Sequence, residues 1–418
     1  MNASHDIERD LARWMEVVAP SRAPDNLAPG ILERTRSLQP RPGWLARLME
    51  PPMQTQLSLR NYFGFGRSPR LILVGLLILA LTLGGIVVGS QLLRPVPLPP
   101  PFGLAGNGLI ATDIGGTIVV MRPDGSDAHQ LELPFDGLAQ MTFSRDGTRL
   151  AAWWTPDPVV PGQLALMVAN ADGSAAFEIS MSRQSSEGLS RIDWSPDGRS
   201  LAFSNVADRL FVADVDARSV RELGPDERIT RRRDPAWSPT GQLAYRCATA
   251  DAVLHLCLMD PAFQTERILT TSPGTEWAFQ HSSWSHDGKS IAYYVDDVID
   301  QPKSTPGFDV AILELATGRE RVLTRGFVPH AILPVFSPDD DHVLFMTETG
   351  PGLVGTDGTG LHVFGRESCH AVEPSPDGHF VTCLVGMQLV LYPIDGSAPT
   401  TLALDRQATS VAWQRVAR

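Results

Sequence analysis

Six copies of one string set the fold of this chain before anything else is considered. They are "FSRDGTRLAAW" at Phe143, "WSPDGRSLAFS" at Trp194, "WSPTGQLAYR" at Trp237, "WSHDGKSIAYY" at Trp284, "FSPDDDHVLFM" at Phe336 and "PSPDGHFVTCL" at Pro374. Neighbouring copies start 38 to 52 residues apart, the spacing of a four-stranded propeller blade. In Ser-Pro-Asp-Gly, proline presets φ for a type I turn, aspartate suits the next position, and glycine takes the left-handed conformation that closes the hairpin. The aromatic ends one strand and packs between blades, and "SLAFS" or "SIAYY" alternates as the next strand. A weaker signal, in "LMVANADGSAAFEI", "FVADVDARSVREL" and "LVLYPIDGSAPTTL", supplies a third strand, a tight turn and a fourth.

The two ends complete each other. Before Phe143, "GLIATDI", "TIVVMRPDG" and "HQLELP" read as strands two to four of a blade without its first strand, and "TSVAWQRVAR" ends the chain as an isolated first strand carrying Trp413. The fold expected is all-β, a seven-bladed β-propeller with one blade closed by both termini, which removes the exposed sheet edges. Asp340 occupies a glycine position, where left-handed backbone costs about 1 kcal/mol, and Thr240 replaces a turn aspartate. Asp146, Gly147, Asp197, Gly198, Gly241, Asp287, Gly288, Asp339, Asp377 and Gly378 are read as structural turn residues. A calcium site needs six to eight converging oxygens, whereas these aspartates belong to separate blades.

These strings resemble the repeats of TolB-like propellers, bacterial relatives of the WD repeats, over about Gly108 to Arg418. The resemblance implies a propeller used for binding, often of other envelope proteins. The same class includes the propeller domains of prolyl-oligopeptidase-like peptidases. The whole layout looks like membrane-anchored bacterial members of this class, although fold by itself does not fix function.

The anchor is read from Leu71 to Leu93, "LILVGLLILALTLGGIVVGSQLL", an uncharged run of the length needed to cross a hydrocarbon core. Some 70 residues precede it, which suits a signal-anchor rather than a cleaved leader. Residues 1–70 hold ten arginines against seven acids, and beyond them about 25 basic residues face 40 acidic ones. The positive-inside tendency places the N-terminus in the cytoplasm and the propeller outside the cell membrane. The domains expected are a helical cytoplasmic segment (1–66), a transmembrane helix (69–93), a proline-rich stalk (94–107) and the propeller (108–418). The formal net charge of -12 argues against nucleic acid as a partner.

All four cysteines lie on the expected outer side, where disulfides form. Both pairs flank a hairpin, so Cys247–Cys257 and Cys369–Cys383 is the favoured connectivity, with four buried free thiols as the alternative. No G-x-S-x-G elbow, H-E-x-x-H, Walker loop or dinucleotide fingerprint occurs in the expected context. A non-enzymatic binding module without a cofactor or metal is therefore the reading. Its partner would be a protein, peptide or small ligand outside the membrane. Residues 1–66 could instead hold a cytoplasmic protein, as in anti-sigma regulators; the zinc type is excluded because His5 has no paired cysteines. A hydrolase working in the channel is the third reading. Loops joining strands two to three, and blade to blade, are the longer ones and mark the recognition face. Arg231, Arg232, Arg233, Trp277, Phe279 and His281 are its contact candidates, with His330 and His370 beside the channel.

Overall fold

The computed structural model describes residues 98–156, 164–181, 190–270, 281–296, 307–328, 330–369 and 371–418. The transmembrane and cytoplasmic expectations fall on residues outside these, as do Trp277, Phe279 and His370. Among the described residues no helix is long and apolar enough to cross a membrane.

The described residues form seven four-stranded antiparallel sheets. Blade 1 is the shared one: its inner strand, Ala408–Val416, comes from the C-terminus and pairs with Gly106–Ile114, followed by Thr117–Met121 and His129–Gln130. The inner strands of blades 2 to 7 are Ala139–Phe143, Asp193–Trp194, Ile229–Trp237, Ser283–Trp284, Ile332–Phe336 and Val372–Pro374. Each inner strand touches the next, and the last touches the first, so the ring is closed around a central channel. The expected seven-bladed propeller, with one blade closed by both ends, is the fold.

Seven apolar clusters hold it together, one between each pair of neighbouring blades. Trp153, Trp194, Phe203, Tyr245, Tyr293 and Phe345 are all but fully buried in them, each worth roughly 1.5–3 kcal/mol of burial. The repeat aromatics lean onto the preceding blade as expected. Trp194 Nε1 donates to Thr142 O (3.2 Å), Trp284 Nε1 to Ala236 O (3.0 Å) and Trp413 Nε1 to Thr382 Oγ1 (2.6 Å). The second strands differ from expectation. "SLAFS" is buried on both faces over Leu201–Ser204, because a blade is sandwiched between two others and has no solvent face. The outer strands are the exposed ones, such as Ser219–Leu223, in which only Leu223 is buried.

The repeat turns are tighter devices than the turn preferences alone imply. Ser144 Oγ accepts from Arg149 N (2.9 Å) and donates to Asp146 Oδ1 (2.6 Å), which also accepts from Thr148 N (3.0 Å). The same arrangement recurs at Ser195–Asp197, Ser285–Asp287, Ser337–Asp339 and Ser375–Asp377. At Ser238, Thr240 stands in for the aspartate through its hydroxyl (3.1 Å). Burial works to raise Asp146, Asp339 and Asp377, but hydrogen bonds from the serine and the following backbone outweigh it. All three sit below the ordinary carboxylate value. Gly147 has φ 70°, and a Cβ there would collide with the carbonyl oxygen of Arg415. Asp340 does adopt the left-handed backbone, at φ 63°. Its carboxylate takes hydrogen bonds from the backbone of His286 (2.7 Å) and Asp287 (3.0 Å), tying blade 6 to blade 5.

The stalk expectation needs correction at its end. Regular pairing starts at Gly106, and residues 100–105 lie on the propeller instead of lifting away from it. Ala105 N donates to Pro376 O (2.8 Å), and Arg415 holds the carbonyls of Pro100 (3.0 Å) and Gly103 (2.6 Å).

Candidate functional site

Antiparallel blades put the strand-one-to-two and three-to-four turns on one face, and the remaining connections on the other. On the turn face Phe102 meets His286 of blade 5 (6.3 Å between rings) and the Arg145 guanidinium of blade 2 (4.9 Å). Those blades lie on opposite sides of the ring, so Phe102 caps that end of the channel. Arg415 beside it is pushed down to about 10 by burial, with repulsion from Arg145 adding to the effect.

Above Phe102 a column of charge fills the axis. Arg145 pairs with Asp193 of blade 3 at 2.7 Å, and the other Asp193 oxygen accepts from Trp237 N of blade 4 at 2.6 Å. One level up, Arg191 of blade 3 donates to Glu373 of blade 7 at 2.5 Å. These blades are three steps apart one way round the ring and four the other, so the bond crosses the channel. Burial raises the Glu373 carboxyl, Arg191 and Arg145 lower it, Asp193 raises it, and the balance is upward.

Nearest the loop face lie Asp234, Arg246 and His281. Arg246 and Asp234 face each other at 3.7 Å, both nearly buried. Burial lowers the pKa of His281, and repulsion from Arg191, Arg246 and Arg233 outnumbers the opposing pull of Asp234. Its imidazole is neutral at neutral pH. His281 and Asp234 stand three residues before their repeat aromatics, as do Gln140 and Leu333, and all four have φ between 50° and 55°. At Gln140, Asp234 and Leu333 the pairing register also shifts, the mark of a bulge. The same departure from regular strand thus recurs around the channel.

The arginine triplet is placed differently from expectation. Arg231, Arg232 and Arg233 lie on the inner strand Ile229–Trp237 and not in a loop, because the bulge lets that strand run nine residues to the loop face. Arg231 and Arg233 both pair with Asp208 on the turn between strands two and three of blade 3, the latter at 3.1 Å. Arg232 is 9 % exposed and points into the blade interface, held by Glu266, with Tyr245 on the same carboxylate. It is a structural ion pair, not a contact residue. His330 stands before the inner strand of blade 6, with Nδ1 3.6 Å from Glu348 and its ring against Phe308. His281 and His330 are not joined into a metal site, and no such cluster occurs among the described residues.

Both expected disulfides are present: Cys247–Cys257 joins the second and third strands of blade 4, and Cys369–Cys383 ties the connection entering blade 7 to its second strand. Their Cα separations are 5.8 and 5.5 Å. Three of the five large apolar side chains exposed among the described residues, Val206, Phe327 and Met387, lie on the loop face.

Sequence reasoning missed the column of Arg145, Asp193, Arg191 and Glu373. A signal for part of it was available. Counting back one and three residues from each repeat aromatic, or from Pro374, gives the channel-facing positions, and Asp193, Glu373, Arg191, Asp234 and His281 are the ionisable ones.

The class these features define is a closed, disulfide-stapled seven-bladed β-propeller with a charged channel. No protein-family model matches the chain, and no curated protein matches it. Solved structures do. TolB from Acinetobacter baumannii is 15 % identical, with 75 % of this chain and 81 % of that one covered, at a TM-score of 0.48. A putative TolB from Agrobacterium tumefaciens is 20 % identical over 60 % of this chain and 91 % of that one, at 0.46. The tricorn protease is 10 % identical over 74 % of this chain at 0.52, and the match spans only 36 % of its length. At such identities the likeness is one of fold.

Proposed function

We propose that this protein is a non-enzymatic, membrane-anchored propeller outside the cell membrane that binds a protein partner on its loop face. The observation that carries this reading is the contrast between the two faces. The turn face is closed by the repeat hydrogen bonds and by residues 100–105 of the chain itself. Phe327 is 76 % exposed, Val206 58 % and Met387 57 %, on three different parts of the loop-face rim. Exposed apolar side chains of this size are the material of binding surfaces. Residues 100–105 occupy the turn face, which leaves the loop face for recognition. Two disulfides support an oxidising compartment, and the uncharged run Leu71 to Leu93 supports the anchor.

The test is site-specific photo-crosslinking in intact cells of the native host. A crosslinker at Phe327 or Met387 should trap a defined protein, and one at the turn-face residue Gly396 should not. Equal labelling from both faces, or none from the loop face, overturns the reading. An alkaline phosphatase fused after Arg418 should be active; an inactive, stable fusion would reverse the proposed topology.

A further inference from the structure

We propose that the loop-side mouth of the channel is a binding site for a small carboxylate anion, which takes the place on Arg191 that Glu373 holds in this structure. Three observations carry the assignment.

First, Arg191 already grips a carboxylate that reaches it across the channel from blade 7. That bond contributes nothing to neighbour-to-neighbour packing, because blades 3 and 7 do not adjoin. It uses one of the five guanidinium N–H donors, and the Arg191 side chain is 54 % exposed. A bidentate fork with donors to spare is suited to the two oxygens of a carboxylate.

Second, guanidiniums gather at this level of the channel. Among the described residues Arg191 pairs with Glu373 and Arg246 faces Asp234, while Arg231 and Arg233 share Asp208. The part of the chain after residue 70 is strongly acidic, so this gathering of arginines runs against its surroundings. Low-dielectric walls focus such a field toward an incoming anion.

Third, His281 stands among Arg191, Arg233 and Arg246 on left-handed backbone and is neutral at neutral pH. A neutral imidazole retains one N–H donor without adding a fourth repelling charge. The closed bolt of Arg191 and Glu373, with Arg145 and Phe102 below it, limits the site to a ligand entering from the loop face. Nothing in the proposal involves the rim residues Phe327 and Met387, so it stands or falls apart from the protein-docking reading.

The experiment is titration calorimetry of the full-length protein in detergent with succinate, and with uncharged succinamide as the control. Succinate should bind saturably and succinamide should not. Glu373→Gln removes the internal competitor and should tighten succinate binding by about tenfold, whereas Arg191→Gln should abolish it. Unfolding curves without ligand show whether each variant is folded; should Arg191→Gln be unfolded, Arg191→Lys replaces it and should weaken binding by about tenfold or more. Absence of succinate binding at ~10 mM to both wild type and Glu373→Gln, equal binding of succinamide, or unchanged binding in the folded Arg191 variant overturns the proposal.

Discussion

The two faces of the propeller are built on different principles. On the turn face a single local device is used again and again: serine and aspartate two residues apart close the hairpin in five blades, and serine with threonine does so in a sixth. The residues that fix each turn are neighbours in sequence. On the loop face the ties differ from blade to blade: some turns close locally on Asn205, Thr249 or Thr347, and other ties are long-range. Arg231 and Arg233 reach back to Asp208, Asp113 accepts from Thr409 and Ser410 nearly 300 residues away, and the disulfides secure blades 4 and 7. Repetition makes the first face uniform and closed. Its absence leaves the second face free to differ from blade to blade, which recognition requires.

The largest test of that contrast is at glycine. Gly147→Val must place a branched side chain at φ 70° against the Arg415 carbonyl, and should lose about 3 kcal/mol or more in urea denaturation. Gly386→Ala on the loop face, at φ 58° with nothing near its Cβ, should lose only about 1 kcal/mol. Comparable losses would break the distinction between the faces.

The disulfides come next. Replacing Cys247 and Cys257 together by serine, or Cys369 and Cys383 together, opens loops of 10 and 14 residues and should cost about 2–3 kcal/mol each. Hydrogen exchange should rise at the loop-face ends of the affected strands while the amide of Gly378 in the blade 7 turn keeps its protection. Loss of protection at both ends together would show that the faces unfold as one.

Asp340→Gly sharpens the comparison on the turn face itself. It relieves about 1 kcal/mol of backbone strain but removes the bonds to His286 and Asp287, for a net loss of about 1 kcal/mol. A gain in thermal stability would mean that strain dominates and the bridge between blades 5 and 6 is weak.

Acid separates the faces by the pH at which each loses stability. His281 has a folded pKa below the ordinary imidazole value, so the unfolded chain binds the extra proton first. Stability supplied by its neutral form is present above about pH 6.5 and is lost as pH falls from there toward the lowered value. The turn aspartates Asp146, Asp339 and Asp377 are also lowered, from the carboxylate range, so their contribution persists until pH falls below about 4. His281→Gln should flatten the stability profile as pH falls below about 6.5. An unchanged profile there would remove His281 from the account. The smallest effect belongs to the rim: Phe327→Asp with Met387→Asp should alter stability by less than about 0.5 kcal/mol while abolishing crosslinking to the partner.

How far the sequence could be read follows from the same contrast. "WSPDG" names its turn because proline, aspartate and glycine each act on backbone within a few residues, and six copies at blade spacing count the blades. Trp413 without a following turn revealed the shared blade, and cysteines flanking hairpins revealed the disulfide pairs. The arginine triplet was misplaced because its charge pattern resembles a loop, and only the bulge near Asp234 shows that Arg232 turns inward while Arg233 reaches Asp208. Residues 100–105 read as a free stalk because proline-rich sequence carries no record of the Arg415 that captures it.

The sequence by itself determined the fold, the blade count, the closure and the covalent staples, since each rests on local turn chemistry repeated at a fixed period. Tertiary structure alone decided the charged interior. Ring closure brings Arg191 and Glu373 together across 182 residues of chain, and no periodicity in a sequence encodes which charges will face one another over an axis.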